Sequence, residues 1–297
     1  MDERTALRML AEALPDVGDD AAVVDDIVVT TDMLHETTDF PDGTTRYTAG
    51  WRAVGASLSD VAAMGVPAVA SVAAYAAPRF DESELTAFVR GASDVSDRVD
   101  ATYVGGDLDD HAEFTVATTA IGRVKDETPV RRSGASSGEV VCVTGALGRS
   151  AAGLRAFEVG DVDRGNDLFQ FSPRVREGRR LAVHATAMMD SSDGLARSLH
   201  QLAEASDCGF AIESPRVPAH DALRGYAEED EAWDLTAYFG EDFELVCTLP
   251  AAAVEEATSA LDALGTPLTV VGRVVDADAG LTVDGDPLPD RGYTHGE

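Results

Sequence analysis

Acidic residues recur beside apolar runs of this 297-residue chain, in places where their type and spacing could do chemistry. "VTTDMLHETTDF" (29–40) breaks from a β-branched run into Asp32, where a strand is expected to end. "SLSDVAAMG" sets Asp60 among Leu58, Val61, Ala62, Ala63 and Met64, and "VGGD" ends a strand at Asp107. "MMDSSDG" places Asp190 and Asp193 in a strand-to-helix turn, and "VGDDAAVV" puts Asp19 and Asp20 ahead of another strand. Each acid alone could be an N-cap or a turn residue. Their apolar neighbours instead set them close to the core, where two unscreened carboxylates about 4 Å apart repel by roughly 4 kcal/mol at an effective dielectric of about 20. Several converging acids need cations, and no histidine or cysteine accompanies these clusters. Mg²⁺, with phosphate oxygens as co-ligands, is the expected partner.

Magnesium held by carboxylates points to phosphate chemistry, yet the common phosphate-binding motifs are missing. No G-x-x-x-x-G-K-[ST] exists, because Lys125, the only lysine, is followed by Asp126; no G-x-G-x-x-G opens a helix, and no protein-kinase signature appears. Glycine turns remain: "VGGD" and "VTGALGRSAAGL" are expected to offer backbone amides to phosphate ahead of a helix N-terminus. "RRSGA" adds Arg131 and Arg132 in a chain that has few cations.

The elements that must position these groups alternate between strand and helix. Leu7, Leu10 and Leu14 share a helical face, and "DDIVVTTD" reads as a buried strand. Trp51, Val54, Leu58 and Val61 predict a helix over 44–64, stopped by Gly65 and Pro67. Strand 68–75, an amphipathic helix over 81–99 and strands in "ATYVGGD" and "FTVATTAIGRV" follow. The polar, turn-rich stretch 125–139 is the expected domain boundary. The second half continues with strands at 139–145, 243–250 and 268–274 and helices at 149–159, 174–186, 194–206 and 251–264. Two α/β lobes result.

The charge pattern bounds partners and setting. With 54 acidic against 23 basic residues, the net charge is −31, spread through the chain between apolar segments. Such a surface repels nucleic acid and anionic membranes and suits multimolar salt, where screening relieves self-repulsion. A cytoplasmic protein of an extreme halophile is the expectation. "MDERTALRMLAEAL" carries charge where a secretion signal would be apolar, and the uncharged stretch 61–78 is interrupted by Gly65 and Pro67, unlike a membrane span. Cys142, Cys208 and Cys247 are far apart in sequence and read as buried free thiols.

In order and combination, "VGDDAAVV", "VTTDMLHETTDF", "SLSDVAAMG", "VGGD", "RRSGASSGE", "VTGALGRSAAGL", "DSSDGL", "ASDCG", "GEDFEL" and "VGRV" resemble the thiamine-monophosphate kinase family across nearly the whole chain. The chain is similar, more loosely, to aminoimidazole ribonucleotide synthetase, selenide water dikinase and a hydrogenase-maturation protein. The dikinase would want a reactive cysteine near the N-terminus, but none precedes Cys142; the maturation protein carries a C-terminal cysteine, whereas this chain ends "DRGYTHGE".

The resemblance implies an α/β (α+β), two-lobed fold like that of aminoimidazole ribonucleotide synthetase, with mixed sheets and flanking helices. Residues 1–133 would bind ATP and Mg²⁺ and form a homodimer through their sheets, and 134–297 would complete the site. It implies transfer of the ATP γ-phosphoryl group onto thiamine monophosphate, with several Mg²⁺ ions and K⁺ as a further candidate cation. Asp20, Thr30, Thr31, Asp32, Asp60, Asp107, Asp190 and Asp193 become the metal ligands. Gly106, Asp107, Arg132 and Ser192 would contact ATP, and Glu241 and Tyr293 would hold the thiamine moiety. Asp39 stands where the family carries histidine, and is expected to face the thiazolium or a metal-bound phosphate. No acid–base residue is expected, because the accepting phosphate oxygen is already anionic near neutral pH. The rival readings are a ligase like aminoimidazole ribonucleotide synthetase and a non-catalytic cation-binding protein.

The charge itself is testable. Dialysis from multimolar to about 0.1 M monovalent salt, where the Debye length grows to roughly 10 Å, is expected to loosen or unfold the protein. Circular dichroism melting curves check this, and an unchanged curve at low salt would sink the halophile reading.

Overall fold

The computed structural model describes residues 18–125, 128–228 and 231–292, together with Met9 and Leu14; the expected first helix and Tyr293 lie outside the described residues. Two sheets account for the strands. The first has the order β1-β2-β5-β3-β4, with β1 Ala22–Val24, β2 Ile27–His35, β3 Ala68–Ala77, β4 Thr102–Asp110 and β5 Thr115–Arg123. All its neighbours run antiparallel except β3 and β4, which are parallel and joined through the Glu82–Arg98 helix. Parallel neighbours need such a crossover. The second sheet has the order β12-β11-β8-β10-β6-β9-β7. Its strands are β6 Val140–Thr144, β7 Ala187–Asp190, β8 Cys208–Ile212, β9 Leu245–Leu249, β10 Leu268–Asp276, β11 Leu281–Val283 and β12 Asp286–Pro287.

Two expectations about the acids are corrected. Asp32 does not end its strand: β2 runs on to His35, paired residue for residue with β5 from Ile27↔Arg123 to His35↔Thr115. Asp107 likewise lies inside β4, paired with Ala74. Aspartate is a poor strand former, but the ladder to a neighbouring strand carries the backbone through. Alternation then decides where each side chain points.

The Arg46–Ala63 helix lies at the centre of the molecule. It is buried on nearly all sides, because Ala49, Gly50, Ala53, Gly55, Ala56, Ser57 and Ser59 let neighbours approach closely on every face. One continuous core joins its Val54, Leu58, Val61 and Met64 end to Val28, Phe88 and Val116 of the first half and to Cys142, Leu181, Met188 and Leu245 of the second. A shorter helix than expected, Val175–Leu181, packs there, and Val162–Phe169 is a helix that the sequence pattern did not show. Cys142 and Cys247 are buried cross-strand partners on β6 and β9, whereas Cys208 is only half-buried.

The central helix meets the Glu82–Arg98 helix through glycines. A Cβ on Gly91 would lie 1.9 Å from the Tyr47 carbonyl oxygen, and one on Gly50 would lie 2.2 Å from that of Phe88. Helix propensity alone would favour Gly91→Ala by about 1 kcal/mol. The obstacle is rigid backbone, so overpacking wins, and a net loss of about 1–3 kcal/mol is expected. Denaturant titration of Gly91→Ala measures it; equal or greater stability would show that the helices separate at little cost.

Candidate active site

β2 aims alternate side chains at the central helix. Thr30 donates to Asp60 Oδ2 at 2.5 Å, and Asp32 Oδ2 accepts from Ser57 Oγ at 2.6 Å. Thr31 points to the opposite face, where its hydroxyl donates to the Thr118 carbonyl oxygen at 2.9 Å. Its hydroxyl is therefore not among the groups gathered at the cluster, a correction that follows from the two-residue period of the strand.

Asp20 from the turn before β1, Asp60 from the last turn of the central helix and Asp190 from the end of β7 converge. One carboxylate oxygen of each lies within 4.8 Å of the others. Two halves of the chain thus supply one acidic centre. Burial, and then the charges of Asp32, Asp190 and Asp20, hold Asp60 well above the ordinary carboxylate range. Burial followed by Asp20 pushes Asp190 up to about 7, with Arg132 opposing. Burial also raises Asp32. Arg132 answers part of this charge: Nε and Nη2 contact the two oxygens of Asp20 at 3.1 and 3.0 Å. Arg131 holds Asp19 at 2.6 Å, so both arginines of "RRSGA" reach back to "VGDD".

The donor set fits a hard divalent cation. Among the described residues the three carboxylates are joined by no nitrogen or sulfur ligand, and Asp190 Oδ2 and Ser59 Oγ are buried without a well-formed hydrogen bond, the Ser59 hydroxyl only partly relieving the Asp190 carboxylate. Such orphaned oxygen atoms cost free energy unless something coordinates them. Mg²⁺ would be held by Asp20, Asp60 and Asp190, with Thr30 and Asp32 beside it.

Other expected residues lie elsewhere. Asp32, Thr118, Ala73 and Gly106 line up across the first sheet, which puts Gly106 three strand spacings, or roughly 14 Å, from Asp32. Asp107 is exposed on that edge strand, not close to the core. Ser192 stays near the centre, its N–H donating to Asp190 Oδ1 at 3.3 Å, with Asp193 next in the same turn. The glycine turn at 145–148 is not a free phosphate cradle. The N–H groups of Gly148 and Ser150 already donate to the Asp242 carboxylate, an anion supplied by the chain itself. Burial raises Asp242 to about 7 despite those two donors.

A cavity of about 460 Å³ is lined by Asp39, Phe40, Arg52, Phe169, Tyr238, Phe239 and Glu241 among others. Glu241 and Asp39 therefore share one space. Asp39 Oδ2 is also tied locally, accepting from the His35 N–H at 2.6 Å and from Thr38 Oγ1 at 2.9 Å. Sequence reasoning missed Arg52 and Asp242. A single arginine among the small residues of "TAGWRAVGAS" was the available signal for the first.

Residues 18–124 match the AIR synthase related protein N-terminal domain, and 136–284 match the corresponding C-terminal domain. The chain is 59% identical over 295 residues to a thiamine-monophosphate kinase of Halobacterium salinarum, covering 99% of this chain and all of the relative. Among solved structures, thiamine-monophosphate kinase of Stenotrophomonas maltophilia is 30% identical with a TM-score of 0.83, covering 95% of both chains. AaThiL complexed with AMPPCP and TMP is 25% identical with a TM-score of 0.88, over 99% of this chain and 97% of that one.

The acid cluster predicts a pH dependence. A raised carboxylate keeps its proton in the folded state after the unfolded chain has released it, so stability falls as pH rises from 3.8 towards about 7 at Asp190. A bound divalent cation favours the ionised form and removes that loss. Melting of the metal-free protein at constant high KCl is expected to fall between about pH 4 and 7, and Mg²⁺ to restore it. Asp60→Asn should raise the metal-free melting temperature near pH 8 and abolish the Mg²⁺-dependent gain. A full gain in that variant would remove Asp60 from the cation site.

Proposed function

The chain belongs to the thiamine-monophosphate kinase family, and we propose that it performs the reaction as a Mg²⁺-assisted direct transfer of the ATP γ-phosphoryl group onto thiamine monophosphate. Thiamine diphosphate and ADP are the products. The observation that carries the assignment of the site is the convergence of Asp20, Asp60 and Asp190, linked to the cavity lined by Glu241, Tyr238 and Phe169 through the Asp190–Ser192 turn, whose Ser192 carbonyl oxygen accepts from the Glu241 N–H.

Both substrates are polyanions, so catalysis here is positioning and charge neutralisation rather than covalent chemistry. Mg²⁺ on the three aspartates would draw together and neutralise phosphate oxygens. Arg132, already beside Asp20, supplies a fixed positive charge at the same place, and Ser192 lies next to Asp190 on the nucleotide side. Gly106 and Asp107, separated along the sheet, would contact the nucleotide away from the three aspartates, with Asp107 available to hold a further cation. The aromatic rings and the Glu241 carboxylate suit a cationic, ring-bearing substrate. Asp39 adds negative charge on the same wall, opposite in sign to the thiazolium.

The open side of the first sheet supports a homodimer. Met33, Val69 and Val104 are exposed on its strands, while helices cover the other side. Exposed apolar residues on an uncovered sheet face suit an interface. Among the described residues no helix is long and apolar enough to cross a membrane.

The test is incubation with ATP, Mg²⁺ and thiamine monophosphate in molar KCl, followed by chromatography. Thiamine diphosphate and ADP should appear in equal amounts, and Asp60→Asn should lower turnover by about 100-fold or more. ADP and phosphate without thiamine diphosphate would point to the ligase-like relatives. Nucleotide left intact would leave only cation binding.

A further inference from the structure

Arg52 plays no part in the chemistry above, yet it is among the largest fully buried side chains, at 1% exposure. A cation inside a helix of small and apolar residues costs several kcal/mol to desolvate unless it is paired. Its partners are all in the other half of the chain. Nη2 and Nε donate to Glu241 Oε2 at 2.6 and 3.2 Å, and Nη2 also reaches the Glu241 carbonyl oxygen at 3.3 Å. Nη1 donates to the Phe169 carbonyl oxygen at 3.1 Å, and the guanidinium carbon lies 4.3 Å from the centre of the Phe169 ring.

Glu241 is the residue that needs holding. Its φ is +62°, a left-handed conformation that strains a non-glycine residue and persists only when its surroundings over-determine it. The surroundings do so: Ser150 Oγ donates to its carbonyl oxygen at 2.6 Å, its N–H donates to the Ser192 carbonyl oxygen at 2.6 Å, and Arg52 grips the side chain. Two residues on, Phe243 also has a left-handed φ, and its ring stacks on Phe171 at 4.2 Å. Both of Arg52's side-chain bonds to Glu241 fall on Oε2, and no described residue donates to Oε1.

We propose that Arg52 is a positioning residue that pins Glu241 Oε2 and the strained 240–243 turn, so that Oε1 alone meets the cationic ring system of the substrate. This rests on the kinase reading above and deepens it. The charges also balance. Asp39, Glu241 and Arg52 are the charged residues among the described lining of the cavity, and together they sum to −1, matching a singly cationic heterocycle. Without Arg52, two carboxylates would face the pocket beside the incoming phosphate. Arg52 thus sets affinity for thiamine monophosphate and leaves the phosphoryl-transfer centre to the aspartates. Lysine cannot replace the planar fork that serves Oε2 and two carbonyl oxygens together.

The experiment compares Arg52→Lys, Glu241→Gln and the double variant in molar KCl. It reads KM for each substrate, the melting temperature, and thiamine monophosphate binding by calorimetry without ATP. Arg52→Lys should raise KM for thiamine monophosphate at least tenfold and weaken calorimetric binding in parallel, with KM for ATP changed less than twofold. The double variant should be no worse than the worse single one, because both act through one carboxylate. Effects that multiply, an unchanged KM for thiamine monophosphate, or both KM values rising together with a fall in melting temperature would each overturn the proposal. Ser150→Ala removes the second anchor of the Glu241 carbonyl oxygen and one acceptor of Arg52 Nη2 at 3.2 Å while leaving the Arg52–Glu241 ion pair in place, and should raise the same KM about threefold; no change there also overturns it. If the wild-type protein binds thiamine monophosphate but forms no thiamine diphosphate, the kinase reading fails while the calorimetry still decides the role of Arg52.

Discussion

Like charges brought together out of water are the constraint on which the rest of this structure depends. Asp20, Asp60 and Asp190 come from a turn, a helix end and a strand end in both halves of the chain, and nothing in the hydrophobic core requires them to meet. Each would be more stable in solvent. The fold holds them because the central Arg46–Ala63 helix is wedged between the two sheets, with Val54, Leu58 and Val61 fully buried and Asp60 carried on the same rigid element. Apolar burial of about 1.5–3 kcal/mol per large side chain offsets the repulsion at its end. The same arrangement makes the halves interdependent: separating them would expose the helix and disperse the acids.

The helix was the most legible element in the sequence, because its apolar spacing and the Gly65–Pro67 stop are local signals. β3, the Glu82–Arg98 helix, β5 and β6 were legible for similar reasons. The acids of the cluster were also legible as a set, since apolar neighbours surround Asp60 and Asp190. What could not be read was direction. Asp32 looked like a strand end because aspartate disfavours strands, and only the pairing with β5 shows the backbone continuing. Thr30 and Thr31 are equivalent in composition, yet register gives one to Asp60 and the other to Thr118. Gly145 and Gly148 looked like a phosphate turn; the residue that occupies its amides, Asp242, lies 94 positions from Gly148. Long-range partners of this kind leave no periodic trace.

Three arginines are drawn inward where they decide something, while others stay in exposed surface pairs. Arg132 is bonded to Asp20, Arg174 is bonded through two nitrogens to the buried Glu244 at 2.8 and 2.6 Å, and Arg52 holds Glu241. All three join segments far apart in sequence. Arginine suits these places, because its flat fork can serve a carboxylate and a carbonyl oxygen at once and it stays charged when buried. Cutting one partner out of such a pair leaves an uncompensated charge, so these contacts specify the arrangement of the halves more than they add net stability.

The chain therefore faces two electrostatic problems of different range. The excess of acids on the surface is a problem of many weak, solvent-separated repulsions, and molar salt answers it because the Debye length shrinks to about 3 Å. The acid centre is beyond the reach of that answer, since its charges are closer than a screening cloud can enter and ions in bulk do not penetrate the packed helix ends. Only what binds in place, a proton, an arginine or a divalent cation, can compensate Asp60 and Asp190. Salt should then restore the fold without restoring the site, whereas Mg²⁺ should act on the site at any salt concentration that keeps the chain folded. The separation follows from geometry: screening acts between side chains that water surrounds, and coordination acts between side chains that it does not.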